Sequence, residues 1–111
     1  MSKYHSVKVK LDGYTFDSKA EAARYGELRL LEKAGEITEL KVHPDYQLIN
    51  PFQYRGKWDR GVIYEGDFEY LDSEGAVVVE DVKGMMTPVF RLKYKLFIRK
   101  YPNIDFRIIQ A

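Results

Sequence analysis

The residues with the clearest chemical potential stand at the end of one predicted strand. Residues 76–83, Ala-Val-Val-Val-Glu-Asp-Val-Lys, are rich in valine, and side chains alternate across a strand. Val77, Val79, Asp81 and Lys83 therefore share one face, while Val78, Glu80 and Val82 share the other. A carboxylate and an ammonium end up side by side. Residues Val62 to Leu71 read as the preceding strand of the same hairpin, with Val62, Tyr64, Phe68 and Tyr70 on one face and Asp67 on the opposite one. Pairing through the turn Asp72-Ser73-Glu74-Gly75 would bring Asp67 beside Asp81. Two carboxylates and a lysine that converge suit phosphodiester hydrolysis. Carboxylate oxygens are natural ligands of Mg²⁺ or Mn²⁺, and such an ion lowers the pKa of its water and neutralises charge developing on the phosphate. A nearby lysine orients the nucleophile or stabilises the pentacovalent state.

Other elements must hold these groups in place. Residues 7–16 alternate weakly and turn at Asp12-Gly13. Ser18 followed by Glu21 is a capping-box pattern, and Ala20, Ala23, Leu28, Leu31 and Ala34 recur at helical spacing until Gly35, which predicts a helix over 18–34. Ile37 to Ile49 reads as one or two short extended segments around His43-Pro44, and Asn50-Pro51 and Arg55-Gly56-Lys57 read as turns. Pro88 opens a second helix, with Phe90, Leu92, Tyr94, Leu96 and Phe97 as apolar content through Lys100. Tyr101-Pro102-Asn103 ends it, and Ile104 to Ile109 reads as a buried strand. The order helix, three strands, helix, strand predicts a single α/β layered domain over 1–111.

Composition narrows the chemistry further. With 111 residues, 45% of them hydrophobic, the chain has material for one core. It has no cysteine, which removes disulfides, Cys-based zinc sites and thiol nucleophiles. Its two histidines, His5 and His43, lie far apart, which argues against a His-rich metal site. There is no apolar run of membrane-spanning length, and Met1-Ser2-Lys3-Tyr4-His5 lacks the apolar stretch of a secretory signal, so the expectation is a soluble, cytoplasmic protein with no membrane partner. The net charge of +1 is unevenly spread. Residues 83–111 carry seven basic side chains (Lys83, Arg91, Lys93, Lys95, Arg99, Lys100, Arg107) against Asp105 alone, leaving 11 basic and 16 acidic side chains, a net of −5, for residues 1–82. A basic end beside an acidic body suits a protein holding a polyanion next to a carboxylate-bound cation; a solvated helix face rich in Lys and Arg accounts for the same numbers.

Asp67 followed by Asp81-Val82-Lys83-Gly84 resembles the signature of the PD-(D/E)xK nuclease superfamily, an acid on one strand and an acid-x-Lys triplet on the next. The element order is similar to that superfamily's core. Phe16-Asp17-Ser18-Lys19-Ala20-Glu21-Ala22, Gly35-Glu36-Ile37, Asp67-Phe68-Glu69-Tyr70, Val78 to Gly84 and Lys93-Tyr94-Lys95-Leu96-Phe97 extend the likeness to a compact phage and prophage family of nucleases, similar to Holliday junction resolvases. One departure is Gly66, where the signature has proline. The resemblance implies a restriction-endonuclease-like fold, a mixed sheet flanked by helices. It also implies a metal site of Glu21, Asp67, Asp81 and the Val82 carbonyl, with Lys83 positioning the attacking water. Branched or structured DNA would be the substrate, homodimers would cut two strands, and a phage-encoded member would act in the cytoplasm of a bacterial host, in DNA recombination.

Each residue also has a plainer reading. Glu21 can serve only as the reciprocal partner in the Ser18 capping box, and Glu27 lies closer to the apolar face as a reserve ligand. Asp67 can share a solvated face with Glu65 and Glu69, and Lys83 can merely pair with Asp81 or bind phosphate. Glu80, turned away from Lys83, reads as structural, as does His43. Arg91, Lys93, Lys95, Arg99 and Lys100 form either a phosphate-tracking surface or an ordinary helix exterior. Tyr54 and Trp58, in a loop with Arg55, Lys57 and Arg60, either stack on unpaired bases or pack beneath that loop. A non-catalytic nucleic-acid-binding module and a phage structural or interaction domain are the alternatives to the enzyme.

Overall fold

The computed structural model describes residues 7–111, so His5 lies outside the described residues. In chain order these form β1 (Val9–Leu11), β2 (Tyr14–Phe16), α1 (Lys19–Lys33), β3 (Thr38–Val42), β4 (Asp45–Ile49), β5 (Phe52–Tyr54) and β6 (Lys57–Asp59). There follow β7 (Val62–Glu65), β8 (Phe68–Leu71), β9 (Val77–Lys83), α2 (Pro88–Lys100) and β10 (Asp105–Gln110). The fold is mixed α/β, with a mixed four-stranded sheet in the order β10-β9-β8-β3. β9 is antiparallel to β8, to which a tight turn joins it, and parallel to β10, to which it is joined through α2.

Alternation along β9 builds a core on each side of the sheet. Val78 packs with Phe16, Ala22, Tyr25, Leu28, Phe68 and Tyr70 on the α1 side. Val79 packs with Leu48, Tyr64, Phe90 and Phe97 on the α2 side. Both helices start where the capping chemistry places them: Ser18 Oγ accepts from the Glu21 N–H at 3.1 Å, and Thr87 Oγ1 from the Phe90 N–H at 3.1 Å, with Pro88 in the first turn. The buried stripe of α1 differs from the expected one, however. It runs Ala22, Tyr25, Leu28, while Ala23 and Leu31 are exposed, because the Tyr25 ring takes the central place against Phe16 and Phe68. β10 is likewise no buried strand. It lies at the sheet edge, and only its Phe106 and Ile109 are half-buried.

The segments expected as short strands and turns between 37 and 71 form one long two-stranded ribbon. β3 and β4 run against β8 and β7 in a single register from Lys41↔Glu69 to Gln47↔Ile63, and the ribbon bends where Pro44 faces Gly66. It continues, after a register shift, as β5 against β6. Asn50-Pro51 thus interrupts the ladder without reversing the chain. The reversal comes at Arg55-Gly56, whose φ values of +50° and +75° are those of a two-residue type I′ turn. Every residue from 50 to 60 is exposed, so the ribbon's end stands off the body as an arm. The radius of gyration, 15.7 Å, exceeds the roughly 13 Å typical of a compact domain near this length. At the arm's base, a Cβ on Gly61 would sit 1.9 Å from the Ile49 carbonyl oxygen, so only glycine permits this approach.

Candidate functional site

At the end of β9, Asp81 is buried. Its Oδ2 accepts a hydrogen bond from the Tyr64 hydroxyl, and its Oδ1 lies 3.3 Å from Lys83 Nζ. Burial, then the negative charge of Asp81, pushes the Tyr64 hydroxyl well above the usual phenol range, so Tyr64 stays a neutral donor. Lys83 Nζ also stands 4.4 Å from the centroid of the Phe90 ring, a cation–π contact that ties its head to α2. The expected arrangement put Tyr64 on the same face as Phe68 and Tyr70. It is instead on the α2 side and they are on the α1 side, because the ribbon bends where the strand is broken at Gly66-Asp67 and carries Tyr46, Leu48 and Tyr64 across to α2 while Leu40, Val42, Phe68 and Tyr70 stay with α1.

That break is what places Asp67. The regular ladder of β8 on β9 ends at Phe68↔Glu80, which would put Asp67 opposite Asp81. The Asp67 N–H instead donates to the Glu80 carbonyl at 3.1 Å, one residue out of step. Asp67 Oδ2 then accepts from the Val82 N–H at 2.7 Å, standing in for the backbone carbonyl that the departing strand no longer supplies. In an extended strand the N–H and C=O of one residue point the same way, so the Val82 carbonyl is directed to the Asp67 side as well. Burial pushes the Asp67 carboxyl up to about 7, with Asp81 and Glu21 adding to the rise while the Val82 N–H and Lys83 oppose it.

Glu21 arrives from the first turn of α1. Its own N–H is capped by Ser18, while its carboxyl is turned inward, only 8% of the residue being exposed. Oε1 is buried with no hydrogen-bond partner among the described residues. Burial raises the Glu21 carboxyl above the usual range; Asp17 and Asp81 add to this, and a backbone hydrogen bond at Asp17 and the charge of Lys83 oppose it. Three carboxylates from α1, the ribbon bend and β9 therefore act on one another electrostatically. Glu27, the reserve candidate, is on the exposed side of α1, 3.1 Å from Arg24.

Two neighbours of the site carried no signal along the chain. His43, at the ribbon bend with φ +55°, packs on Phe16 and brings Nε2 within 3.8 Å of Glu21 Oε1. Arg24, one turn beyond Glu21, donates from Nε and Nη2 to the two oxygens of Glu80, both at 2.7 Å, and the Tyr70 hydroxyl also donates to Glu80. Glu80 is 0% exposed and faces α1, as its place in the alternation predicts, and the bidentate pair fastens α1 to β9.

The basic residues divide. Lys93 Nζ donates to the Ile63 carbonyl at 3.3 Å, and Lys100 Nζ to the Gln47 carbonyl at 2.7 Å and Asn50 Oδ1 at 2.9 Å, so both tie α2 to the ribbon. Arg91, Lys95 and Arg99 are exposed on α2, and Arg55 and Lys57 at the arm's tip. Among the described residues no three His, Asp or Glu side chains stand close enough together to enclose an ion, and no helix is long and apolar enough to cross a membrane. A family model described as "Protein of unknown function (DUF1064)" matches residues 1–111. No curated protein matches the chain.

Proposed function

We propose that this chain, which belongs to the DUF1064 family, is a divalent-metal-dependent endonuclease of restriction-endonuclease-like fold that hydrolyses phosphodiester bonds in branched or structured DNA. The observation that carries the reading is the gathering of Glu21, Asp67 and Asp81, from three separate elements, around the end of β9, where Lys83 Nζ stands 3.3 Å from Asp81 Oδ1, Asp67 bonds the Val82 N–H, and Glu21 Oε1 is buried without a hydrogen-bond partner among the described residues. The residue types suit a hard cation, and the three carboxylates would have to draw together to enclose one. Their donors are oxygens, Glu21 Oε1 is a buried acceptor with no hydrogen-bond partner among the described residues, and the mutual repulsion is the deficit that a positive charge would relieve.

Glu21, Asp67, Asp81 and the Val82 carbonyl would hold Mg²⁺ or Mn²⁺, which when bound supplies an activated water and charge neutralisation at the phosphate. The chain's own contribution is positioning. Lys83, held between Asp81 and the Phe90 ring, keeps an ammonium at the site, where it can orient a water and face an anionic transition state. Tyr64 fixes the rotamer of Asp81, and the Arg24–Glu80 pair fixes α1, and Glu21 with it, relative to β9. A homodimer would present two such sites to two strands.

The test is a calorimetric titration with Mn²⁺, together with a cleavage panel of duplex, flap, splayed and four-way DNA. The expected result is saturable binding that is lost in Asp67→Asn and Asp81→Asn, with metal-dependent cleavage of at least one branched substrate. Metal binding indifferent to both substitutions would overturn the proposal. Both Asp81 oxygens already have partners, which favours as second reading a non-catalytic nucleic-acid-binding module with a structural Asp81. That module would bind the panel without cutting it.

A further inference from the structure

The arm formed by β5, β6 and the Arg55-Gly56 turn is exposed at every residue, yet its side chains are not those of a solvated hairpin. Phe52, Tyr54 and Trp58 are exposed by 43%, 62% and 65%. Register assigns them to both faces. Phe52 pairs with Asp59 and Tyr54 with Lys57, so these four share one face; Gln53 pairs with Trp58 on the other. Arg55, Lys57 and Arg60 stand among them against the single carboxylate of Asp59, whose Oδ1 is taken by the Gly61 N–H at 2.8 Å. The Arg55 guanidinium lies 5.0 Å from the centroid of the Tyr54 ring, which extends that aromatic surface with a flat cation. Exposed aromatic rings, interleaved with basic groups on a projecting ribbon, fit a partner that is both a polyanion and a set of unstacked flat rings. A second copy of the chain fits less well, because two arms meeting face to face would oppose their Arg55, Lys57 and Arg60 charges.

We propose that the arm binds the unpaired strand of a branched DNA, with bases stacking on Tyr54 and Phe52 on one face and on Trp58 on the other, and phosphates against Arg55, Lys57 and Arg60. This deepens the nuclease reading and rests on it for DNA as the partner, although stacking on the arm needs no metal. The strand from Asp67 to Trp58 spans at most about 30 Å at about 3.4 Å per residue, and the bend at Gly66 shortens that reach. The unpaired segment therefore lies within about 30 Å of the carboxylates.

Trp58 is the only tryptophan, so its emission reports on the arm alone. The probe is a DNA fork with two unpaired oligothymidine arms, titrated in EDTA beside a blunt duplex of the same stem. The fork should quench Trp58 saturably and the blunt duplex should not. Phe52→Ala with Tyr54→Ala, both at exposed positions, should weaken fork binding by anisotropy about tenfold or more and leave duplex binding within about twofold. Fork binding with unchanged emission would overturn the proposal, as would equal weakening for fork and duplex. So would a Trp58 emission that changes with protein concentration alone, which would assign the arm to a second copy. Quenching by the fork without cleavage in Mg²⁺ or Mn²⁺ would sink the nuclease reading and leave the arm's role standing; cleavage without quenching would do the reverse.

Discussion

Glu80 and Asp81 are neighbours in sequence and both buried, yet they live in opposite electrostatic worlds. On the α1 side, the Glu80 carboxylate receives a bidentate guanidinium and a phenol, so its charge is matched by position and number. On the other side, Asp81 shares one ammonium with Asp67 and Glu21, and Glu21 Oε1 has no donor among the described residues. A buried charge that is fully paired belongs to the architecture. A cluster with more negative charge than its described surroundings neutralise is the pattern on which the metal-site proposal rests.

The sharpest way to break this comparison is Asp81→Asn, which keeps the shape and removes one charge. Cleavage should fall by a factor of about a thousand or more, on the scale of losing a group that acts on the transition state, while the melting temperature stays within a few degrees. Near-normal turnover in the metal-loaded variant would place Asp81 with Glu80, among the structural carboxylates.

Arg24→Met tests the other side. It leaves Glu80 buried without its cation, and unfolding in urea should show a loss on the order of 3–5 kcal/mol. Adding Glu80→Gln in the same chain should recover part of that loss. If Arg24→Met costs less than about 1 kcal/mol, the pair is not what fastens α1 to the sheet.

The Asp67 carboxyl gives a third, smaller effect. It holds its proton in the folded protein up to about 7, against an ordinary 3.8, so the folded state binds more protons than the unfolded one between those values. Stability without metal should therefore decline as pH rises from about 4 to about 7, and Asp67→Asn should flatten the decline in thermal melts. Saturating Mn²⁺ should flatten it too. A metal-free stability that climbs over this range would mean Asp67 is already compensated, as Glu80 is.

The smallest effect concerns α2. Lys93 and Lys100 are committed to ribbon carbonyls, which leaves Arg91, Lys95 and Arg99 free to meet phosphates. Changing these three to alanine should lower the slope of log affinity against log salt by about two to three, equally for all DNA shapes. An unchanged slope would make the helix exterior merely solvated.

Much of this frame was legible in the chain itself, for identifiable reasons. The valines of 77–82 announce a strand with two buried faces, and alternation alone separates Asp81 and Lys83 from Glu80. Ser18 and Pro88 mark helix starts because end chemistry is local to neighbours in sequence, and the structure adds Thr87 as the cap before Pro88. What escaped depends on contacts between distant residues. Arg24 and Glu80 are 56 positions apart, and nothing along the chain couples them. The side on which Tyr64 lies depends on the bend of the ribbon at Gly66-Asp67, which no local pattern marks, and the same break in the strand makes Asp67 a substitute for backbone. The arm escaped because Pro51 and the exposed aromatics read as loop, whereas cross-strand pairing turns them into ribbon.

The two-sided strand also sets how this sequence can tolerate insertions and deletions. Removing one residue between Val77 and Glu80 would carry Asp81 and Lys83 to the α1 side, put the shorter Asp81 in Glu80's place against Arg24 and turn Glu80 and Val82 toward α2, emptying the site in one event. No repacking nearby compensates for a phase error of that kind. The turn at Asp72 to Ala76 lies outside both cores, and a residue added there leaves the phase of β9 intact. Length variation should therefore be absorbed in that turn and at the arm's tip, and excluded from β9.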